Sequence, residues 1–363
     1  MKILTVLGTR PEIIRLSLII KKLDQNADQH VLVHTGQNFT ATLSDIFFKE
    51  LNIRKPDYHI HMEQLSLGAQ LGTIYRELEK MIEHEKPDKM LVLGDTNSAL
   101  SALLAERIGI PVYHMEAGNR CFDLNVPEEK NRKVIDAVAT FNLPYTAKSK
   151  ENLVREGIPS KEIFVSGNPI YEVLTHFKNE IATSTILENL QLSKQNYFLV
   201  TVHRAENVDF ENSFKEILAG LNLVASHFGL RMICSVHPRT RSKLNYMTGI
   251  SMHPLVEFHE PFGFFDFVKL QQNALCVLTD SGTVQEESCI YHVPAVTLRN
   301  STERPETVEV GSNIVSGVNA GSILRSVQVM TRESRQWPLP DGYQDLNVSA
   351  KVVKFILGGT GVV

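Results

Sequence analysis

Residues 3–10 read ILTVLGTR, and residues 197–204 read YFLVTVHR. Each segment is an apolar run that ends in a small or polar residue and an arginine. A second pair is also similar, since both VLGDTNSAL (92–100) and VLTDSGTVQEE (277–287) lead from an apolar run through aspartate to hydroxyl residues that open a helix. The sequence therefore predicts two similar halves, each built on strands that end in polar side chains.

Strand-like and helix-like segments alternate along the chain. The strand-like runs are mostly β-branched or rich in leucine and lack polar alternation, as strands buried on both faces do. They lie at 2–7, 30–35, 89–93, 111–115, 162–166, 196–202, 230–236, 274–279 and 294–298. Helical patterns lie between them, at 11–25, 66–85, 97–108, 147–156 and 212–227. This alternation indicates an α/β fold with doubly wound parallel sheets and helices on both faces.

Length and composition limit the class of protein. A chain of 363 residues is long enough for two domains with separate cores. A hydrophobic fraction of 43%, a charged fraction of 21% and a net charge of −4 exclude disordered and fibrous classes and give no basic footprint for nucleic acid. The chain has no run of 18 apolar residues, and its four cysteines are widely spaced. We expect free thiols and a cytoplasmic protein that does not span a membrane.

The DSGT segment (280–283) is a candidate phosphate site. It follows a strand and opens a helix, so its backbone N–H groups and hydroxyls would lie at a helix N-terminus, where anions bind. The candidate residues are Ser281, Gly282 and Thr283. The alternative is a simple N-cap with glycine at a tight turn.

Neighbouring charged residues favour the phosphate interpretation. Glu286 and Glu287 come one turn later, where a carboxylate can accept from ribose hydroxyls. Arg304, in TERPE, follows the strand at 294–298 and offers a charge for phosphate. Arg10 follows the first strand directly, and we expect it at the same kind of strand end rather than on a solvated surface.

The sequence lacks several fingerprints of cofactor and metal sites. It has no G-x-G-x-x-G motif for a nicotinamide cofactor, no G-x-x-x-x-G-K-[ST] motif and no D-x-D metal clamp. His59 and His61 could resemble a metal pair, but a polar strand or loop explains them more simply. We therefore expect neither a metal nor a cofactor.

Three carboxylates are candidates for proton transfer: Asp95, Glu116 and Glu128. All three lie at strand ends or loops, where binding and catalytic groups concentrate. Asp95 could instead cap the helix at 97–108, and Glu128 could instead pair with Arg132 four residues later. Glu116 has no obvious structural partner nearby in the sequence.

Two histidines could also titrate in this region. His203, in VHRAEN, lies at the strand end of the second half that corresponds to the end of the first strand. Arg204 follows it directly. His237, in SVHPRT, is expected to border the same cleft.

Taken together, these motifs resemble the non-hydrolysing UDP-N-acetylglucosamine 2-epimerase family along essentially the whole chain. The resemblance is carried by their order and spacing: GTRPE (8–12), TGQN (35–38), GDT (94–96), HMEAGNR (114–120), PEEKNR (127–132), HRAEN (203–207), DSGTVQEE (280–287) and TERPE (302–306). It implies a GT-B fold, in which two Rossmann-like domains enclose a cleft. It also implies a metal-free and NAD-free enzyme that acts on a UDP-activated 2-acetamido sugar and is commonly a homodimer.

The resemblance also assigns roles to individual residues. Asp95, Glu116 and Glu128 match the family's acid/base carboxylates, and His203 matches its catalytic histidine. Phe267 matches the position whose backbone meets uracil. The positions that hold UDP or the sugar are matched by Arg10, Arg132, Ser281, Gly282, Glu287 and Arg304. Arg15, Arg204, His237 and Thr283 complete the candidate binding set.

The domain boundaries follow from the same comparison. We expect an N-terminal Rossmann-like domain at 1–170 with the sugar and acid/base residues, completed by a helix at 346–358. We expect a UDP-binding domain at 171–345.

Details of the motifs point to a branch of the family. Arg15 stands where the form that acts on UDP-N-acetylglucosamine has lysine, and the run EAGNRCFDLNVPEE (116–129) differs from that form. Both features are similar to the branch that converts UDP-2-acetamido-2,6-dideoxy-L-talose to UDP-N-acetyl-L-fucosamine for capsule and O-antigen synthesis. FTATLS (39–44) departs from that branch, so UDP-N-acetylglucosamine 2-epimerase stays the alternative. A GT-B glycosyltransferase, a hydrolysing epimerase and a non-catalytic sugar-nucleotide sensor are further alternatives.

The predicted chemistry is elimination rather than oxidation. The C2 hydrogen of an acetamido sugar is not acidic, and the sequence has no nicotinamide fingerprint. Departure of UDP from C1 would make the C2 proton removable, and two bases would serve the two faces of the sugar.

Overall fold

The structure is a computed structural model that describes residues 1–37, 41–62, 66–246 and 251–358. The chain forms two compact units. The first unit comprises Met1–Phe177 together with the segment from Asp341 onward, and the second comprises Lys178–Pro340. Residues 38 and 39–40, from the TGQN and FTATLS motifs, lie outside the described residues.

The first unit is built on a six-stranded parallel sheet in the order β3-β2-β1-β4-β5-β6. Strand β1 lies inside this sheet and has neighbours on both sides. Its buried residues, 3–7, are apolar apart from one threonine, as expected for such a position. The strands are β1 (Lys2–Leu7), β2 (Gln29–His34), β3 (Tyr58–His59), β4 (Lys89–Leu93), β5 (Val112–Met115) and β6 (Phe141–Leu143).

Helices cover both faces of this sheet. They are α1 (Arg10–Asn26), α2 (Ala41–Glu50), α3 (Leu67–Glu85), α4 (Ala102–Ile108), α5 (Pro127–Val138), α6 (Ala147–Arg155), α7 (Ile170–His176) and α17 (Val348–Gly358), with short 3₁₀ turns at Ala99–Ser101 and Ser160–Glu162. The helix predicted at 97–108 is thus divided between a 3₁₀ turn and α4.

The second unit repeats this design. Its parallel sheet has the order β12-β11-β10-β7-β8-β9, which is the same winding when it is numbered from β7. The strands are β7 (Tyr197–Thr201), β8 (Arg231–Ser235), β9 (Val256–His259), β10 (Cys276–Thr279), β11 (Ala295–Thr297) and β12 (Asn313–Val315). The similarity predicted between residues 3–10 and 197–204 is confirmed, because β1 and β7 occupy equivalent positions in their sheets.

The helices of the second unit precede, connect and follow these strands. They are α8 (Lys178–Thr183), α9 (Ile186–Asn189), α10 (Ala205–Val208), α11 (Glu211–Phe228), α12 (Pro238–Tyr246), α13 (Phe264–Asn273), α14 (Gly282–Ile290), α15 (Pro305–Glu309) and α16 (Ala320–Arg332). The long helix α11 packs against α16. Ile323 and Val327 of α16 belong to the hydrophobic core of this unit.

One predicted strand is wrong. Residues 162–166 contain only an isolated bridge from Ile163 to Asn142, beside β6. The amide of Phe164 donates to the Asn142 carbonyl at 2.9 Å, so the segment follows β6 without becoming a regular strand.

Helix α17 returns to the first unit and packs on α1. Four of its apolar side chains are buried, those of Val348, Val352, Val353 and Ile356. The half-buried Phe355 stacks on Phe164 with ring centroids 4.3 Å apart. The first unit is therefore completed by residues that follow the whole second unit in sequence.

The four cysteines are free thiols, and only Cys121 is partly exposed. Over the described ranges, no helix is both long and apolar enough to cross a bilayer.

Candidate active site

The GTRPE motif forms the turn between β1 and α1. Thr9 is extended and precedes the helix, and Pro11 lies in the first turn, where its missing N–H costs nothing. The Glu12 carboxylate reaches back to accept the amides of Gly8 at 3.0 Å and Thr9 at 2.7 Å. This local hydrogen bonding holds the chain that carries Arg10.

Glu12 also joins two strand ends. It accepts the Thr96 hydroxyl at 3.0 Å, and Thr96 follows Asp95 at the end of β4. Burial raises the pKa of Glu12 to about 7, although its hydrogen bonds oppose the shift. The sequence analysis did not select Glu12 as a site residue; the signal was its place three residues after Thr9, as in a capping box.

Arg10 is half-buried and lies 5.8 Å from the centre of the Phe47 ring. Burial lowers the pKa of its guanidinium. No carboxylate of the described ranges forms an ion pair with it. An arginine held in this way at a strand end suits an anionic ligand.

Asp95 lies beside Arg132. The guanidinium contacts one carboxylate oxygen of Asp95 through Nε at 2.8 Å and Nη2 at 2.6 Å. Asn131 donates to the Asp95 carbonyl at 2.8 Å. At the turn that follows, the hydroxyl of Thr96 accepts the amide of Ala99 at 3.1 Å, which is the capping role that the sequence alternative gave to Asp95.

Glu129 holds the other end of Arg132. Its carboxylate accepts Nη1 of Arg132 at 2.8 Å and the amides of Cys121 and Phe122 at 3.0 and 3.1 Å. Burial raises the pKa of Glu129, but these donors and the Arg132 charge outweigh it and hold the pKa below its usual value. Glu128 is half-buried in the first turn of the same helix, α5.

Glu116 follows β5 in the left-handed region, with a φ of +66°. Its carboxylate contacts Nη1 of the buried Arg15, and the Tyr145 hydroxyl donates to it at 3.3 Å. The Arg15 guanidinium also lies over the Tyr145 ring, 5.5 Å from its centre. Glu116 thus has an arginine partner 101 residues away in sequence, which no local pattern could indicate.

Buried His114 lies between these carboxylates in sequence. Its Nε2 meets the Gly94 carbonyl at 2.8 Å, and its Nδ1 meets Asp136 at 2.9 Å. Arg120 pairs with the same Asp136 at 2.7 Å. This network fixes the adjacent ends of β4 and β5, and the sequence analysis did not identify it.

In the second unit, Asp280 organises the end of β7. The buried carboxylate accepts the amides of His203 and Arg204, each at 2.9 Å, and the Asn207 side chain at 3.0 Å. Its other oxygen lies 3.2 Å from Nδ1 of His203. Burial raises the pKa of Asp280, and the amide donors oppose that shift. The His203 ring is held through Nδ1 and stays one-third exposed, with the half-buried His237 ring 6.2 Å away.

The DSGT segment opens α14 as predicted. Ser281 is the extended residue before the helix, and its amide donates to the Thr279 hydroxyl at 3.0 Å. Thr283 is half-buried in the first turn, and Glu287 is buried one turn later. A Cβ at Gly282 would lie 2.6 Å from Oε1 of Glu303, so a larger residue here would require that carboxylate to shift.

Buried ion pairs surround that helix start. Arg204 contacts Glu303 at 3.2 Å, and Arg299 contacts the other oxygen of Glu303 at 2.7 Å. Arg304 pairs with the buried Glu286. Glu286, considered above for ribose, is therefore engaged by an arginine.

Phe267 lies inside α13, where its amide donates to the Gly263 carbonyl at 2.9 Å and its ring packs on the core. His59 stacks on the His34 ring at 4.9 Å, and His61 lies 5.4 Å from His59. In the parts of the chain that the structure covers, no group of three or more His, Cys, Asp or Glu side chains is arranged to hold a metal.

The two units have parallel sheets of the same winding. One unit carries acidic residues at its strand ends, and the other carries arginines around a helix start. These features define a two-domain α/β enzyme of the GT-B class. A family model described as UDP-N-acetylglucosamine 2-epimerase matches residues 21–357. The chain belongs to this family. It is a non-hydrolysing UDP-sugar 2-epimerase, an isomerase that acts on carbohydrates.

Individual relatives agree with this assignment. The chain is 41% identical to the UDP-N-acetylglucosamine 2-epimerase of Methanocaldococcus jannaschii, with 94% of this chain and 95% of the relative covered. A crystal structure of the M. jannaschii enzyme in complex with UDP-GlcNAc and UDP has a TM-score of 0.94 at 39% identity, and the match covers 99% of this chain and 100% of that one. The UDP-2,3-diacetamido-2,3-dideoxy-D-glucuronate 2-epimerase of Pseudomonas aeruginosa is 36% identical, with 90% and 92% covered.

Proposed function

We propose that the protein inverts C2 of a UDP-2-acetamido sugar by eliminating UDP and adding it back. The observation that carries this proposal is the pair of carboxylates at neighbouring strand ends, each held by a buried arginine. Asp95 follows β4 and Glu116 follows β5, and the Gly94 amide donates to the Met115 carbonyl at 3.0 Å where the two strands end. The two acidic groups therefore lie at one edge of one sheet, with distinct partners.

The reaction balances without an oxidant. The C1–O bond breaks, UDP leaves with the electron pair, and a carboxylate removes the C2 proton, which leaves a 2-acetamidoglycal. A proton then returns to the opposite face of C2 while a UDP oxygen bonds to C1. Groups on both faces are needed, which accounts for Asp95, Glu116 and Glu128 together. His203, held through Nδ1 by Asp280, is proposed as a further acid/base group.

The leaving diphosphate requires positive charge and N–H donors. Arg10 supplies an arginine at the β1 end, and the start of α14 supplies the Ser281 hydroxyl and the backbone amides of Gly282 and Thr283. We assign the sugar and the three carboxylates to the first unit and most of the UDP-binding residues to the second. Arg10 of the first unit and His203 of the second are the exceptions. Arg132, Arg204, His237, Phe267, Glu287 and Arg304 complete the proposed binding set.

Two sugars are candidates for the substrate. The M. jannaschii relative supports UDP-N-acetylglucosamine, which the sequence analysis gave as the alternative. UDP-2-acetamido-2,6-dideoxy-L-talose, the main prediction of the sequence analysis, is the other candidate. It rests on the resemblance at Arg15 and in residues 116–129 to the branch that acts on this sugar. The P. aeruginosa relative acts on a third sugar at 36% identity, so membership of the family leaves the sugar open.

An NMR assay with the two UDP-sugars side by side in D2O tests the proposal. We expect C2 inversion of one sugar, deuterium at C2 of the product and no stoichiometric free UDP. Product without solvent deuterium would exclude proton exchange at C2. Accumulation of UDP and free sugar would favour a hydrolysing enzyme, and turnover only with an added acceptor would favour a glycosyltransferase.

Replacing the acidic groups tests their roles. We expect Asp95→Asn and Glu116→Gln each to lower kcat by roughly 10²–10⁴-fold, the range for loss of an acid or base. Asp341→Asn, at an exposed position of the same unit, is the matched control and should retain the wild-type rate. Wild-type rates in both site variants would make Asp95 and Glu116 structural residues.

The homodimer, the cytoplasmic location and a role in capsule or O-antigen synthesis stay predictions from the family resemblance. Size-exclusion chromatography with light scattering would test the first of them.

A further inference from the structure

Glu129 is a buried carboxylate that the proposed chemistry does not use. None of its side chain is exposed. Oε1 accepts the Phe122 amide, and Oε2 accepts the Cys121 amide, the Cys121 thiol at 3.3 Å and Nη1 of Arg132. Because the side chain is fully buried and both oxygens accept hydrogen bonds inside the protein, Glu129 is not exposed to a sugar.

The first consequence concerns the turn that leads into α5. Phe122 has a φ of +57°, a conformation that bulky side chains rarely adopt. The Phe122 ring is mostly exposed, so packing of the ring does not hold this conformation. The paired amides of Cys121 and Phe122 on the Glu129 carboxylate do.

The second consequence concerns Arg132. A guanidinium is a rigid planar fork, so fixing one end sets the direction of the other. Glu129 fixes Nη1, while Nε and Nη2 contact Asp95 at 2.8 and 2.6 Å. The orientation of Arg132 against Asp95 therefore depends on Glu129.

We propose that Glu129 is a positioning residue: it holds Arg132 and the Cys121–Phe122 turn so that Asp95 is presented to C2 of the sugar. This inference rests on the function proposed above. It predicts that Glu129 governs the chemical step and contributes little to holding UDP.

The test compares Glu129→Gln with the wild type in three measurements. We expect kcat for C2 inversion to fall by roughly 10–100-fold, as for a misplaced acid or base. We expect the Kd for UDP to stay within about twofold, because no UDP-binding residue proposed in the second unit contacts Glu129 in the described residues. We expect alkylation of Cys121 to become about tenfold faster or more, since the turn loses a carboxylate acceptor. The other three cysteines are buried, so the label reports on this turn.

Glu106→Gln is the matched control. Glu106 also holds two backbone segments together by accepting the amides of Val112 and Thr140 at 2.8 and 2.7 Å. Within the described ranges, no arginine contact joins it to an acidic site residue. We expect this variant to keep wild-type kcat and wild-type Cys121 labelling. An equal fall of kcat in Glu106→Gln would overturn the positioning role, as would a Glu129→Gln enzyme with kcat within twofold of the wild type.

Glu129→Asp keeps the inference testable if Glu129→Gln does not fold. The shorter carboxylate retains the charge, so we expect Cys121 labelling and kcat between those of the wild type and Glu129→Gln. Wild-type values of both quantities would refute the proposal.

A wild-type protein that does not invert C2 would contradict the proposed function. Unchanged Cys121 labelling in a folded Glu129→Gln protein would contradict the positioning role alone.

Discussion

At the scale of single residues, the site depends on how each carboxylate is paired. Asp95 and Glu116 each contact an arginine, whereas Glu12 contacts only neutral donors in the described chain: two amides and two hydroxyls. A buried carboxylate without a cation is harder to ionise. This difference explains why Glu12 titrates near neutral pH.

The raised pKa of Glu12 predicts a pH-dependent stability. Its pKa is about 7 in the folded protein and 4.5 as the ordinary value, so the folded state binds more protons between these pH values. The contribution of Glu12 to the free energy of unfolding is fully present below pH 4.5 and is lost as the pH rises to about 7. Glutamine does not titrate, so Glu12→Gln should remove this loss. We expect the free energy of unfolding of the variant minus that of the wild type to be about 1–3 kcal/mol larger at pH 8 than at pH 5.

Urea denaturation of both proteins at pH 5, 6, 7 and 8 measures this effect. A constant offset from the lost hydrogen bonds is expected at every pH. Parallel stability curves for the two proteins would mean that Glu12 does not titrate in this range.

Sequence reasoning found the residues at strand ends and the arginines, Arg15 and Arg132, that contact two of them. It did not find the carboxylates that hold this set in place. Asp95, Glu116 and His203 follow apolar runs, and that position was sufficient to select them. Glu129 holds Arg132 and Asp280 holds His203, but both carboxylates look like ordinary helix-start residues in sequence. Only the folded chain brings such partners together, because the pairing depends on tertiary distance rather than on spacing.

At the scale of elements, the interior strands could be predicted and the edge strands could not. The four strands absent from the sequence analysis are β3, β6, β9 and β12, which are the edges of the two sheets. Each has two to four residues and, in the described chain, pairs with a single strand of its sheet, so none needs a continuous apolar run. In contrast, β1, β4 and β7 are buried from both sides and are evident in the sequence.

The start of α14 provides a prediction at this scale. In Gly282→Ala, the new Cβ would press on Glu303, which pairs with Arg204 and Arg299. We expect UDP affinity to fall about tenfold, which corresponds to about 1.4 kcal/mol and lies within the usual cost of overpacking.

Isothermal titration of UDP into the variant measures this loss. Gly72→Ala in α3 is the control, because its Cβ meets no atom within 4 Å. That change should raise stability by about 0.5–1 kcal/mol and leave UDP binding unchanged. Equal UDP affinities in all three proteins would contradict a phosphate role for this helix start.

At the scale of the whole molecule, two units of the same winding are built from one chain, but only the second is contiguous. Helix α17 contributes the buried Ile356 to the first unit, and its Phe355 joins Tyr113, Phe141 and Phe164 in an aromatic cluster. The first unit therefore depends on a segment encoded after the second.

Ile356→Ala tests this dependence. We expect it to destabilise the first unit by about 2–5 kcal/mol, the cost of truncating a buried aliphatic side chain, while hydrogen exchange in Lys178–Pro340 stays unchanged. Lys354→Ala, an exposed position on the same helix, should change stability by less than about 0.5 kcal/mol. Equal destabilisation of both units would show that α17 serves the whole chain rather than the first unit.

The return of α17 also has a consequence during synthesis. After Phe177 has been synthesised, the ribosome must translate residues 178–347 before α17 begins. This takes roughly 10–35 s at bacterial to eukaryotic elongation rates. Throughout that interval the sheet of the first unit lacks the helix that covers part of its apolar surface. The second unit, in contrast, needs no later segment once residue 340 has been made. We expect chaperones that bind nascent chains to associate with the earlier-made unit.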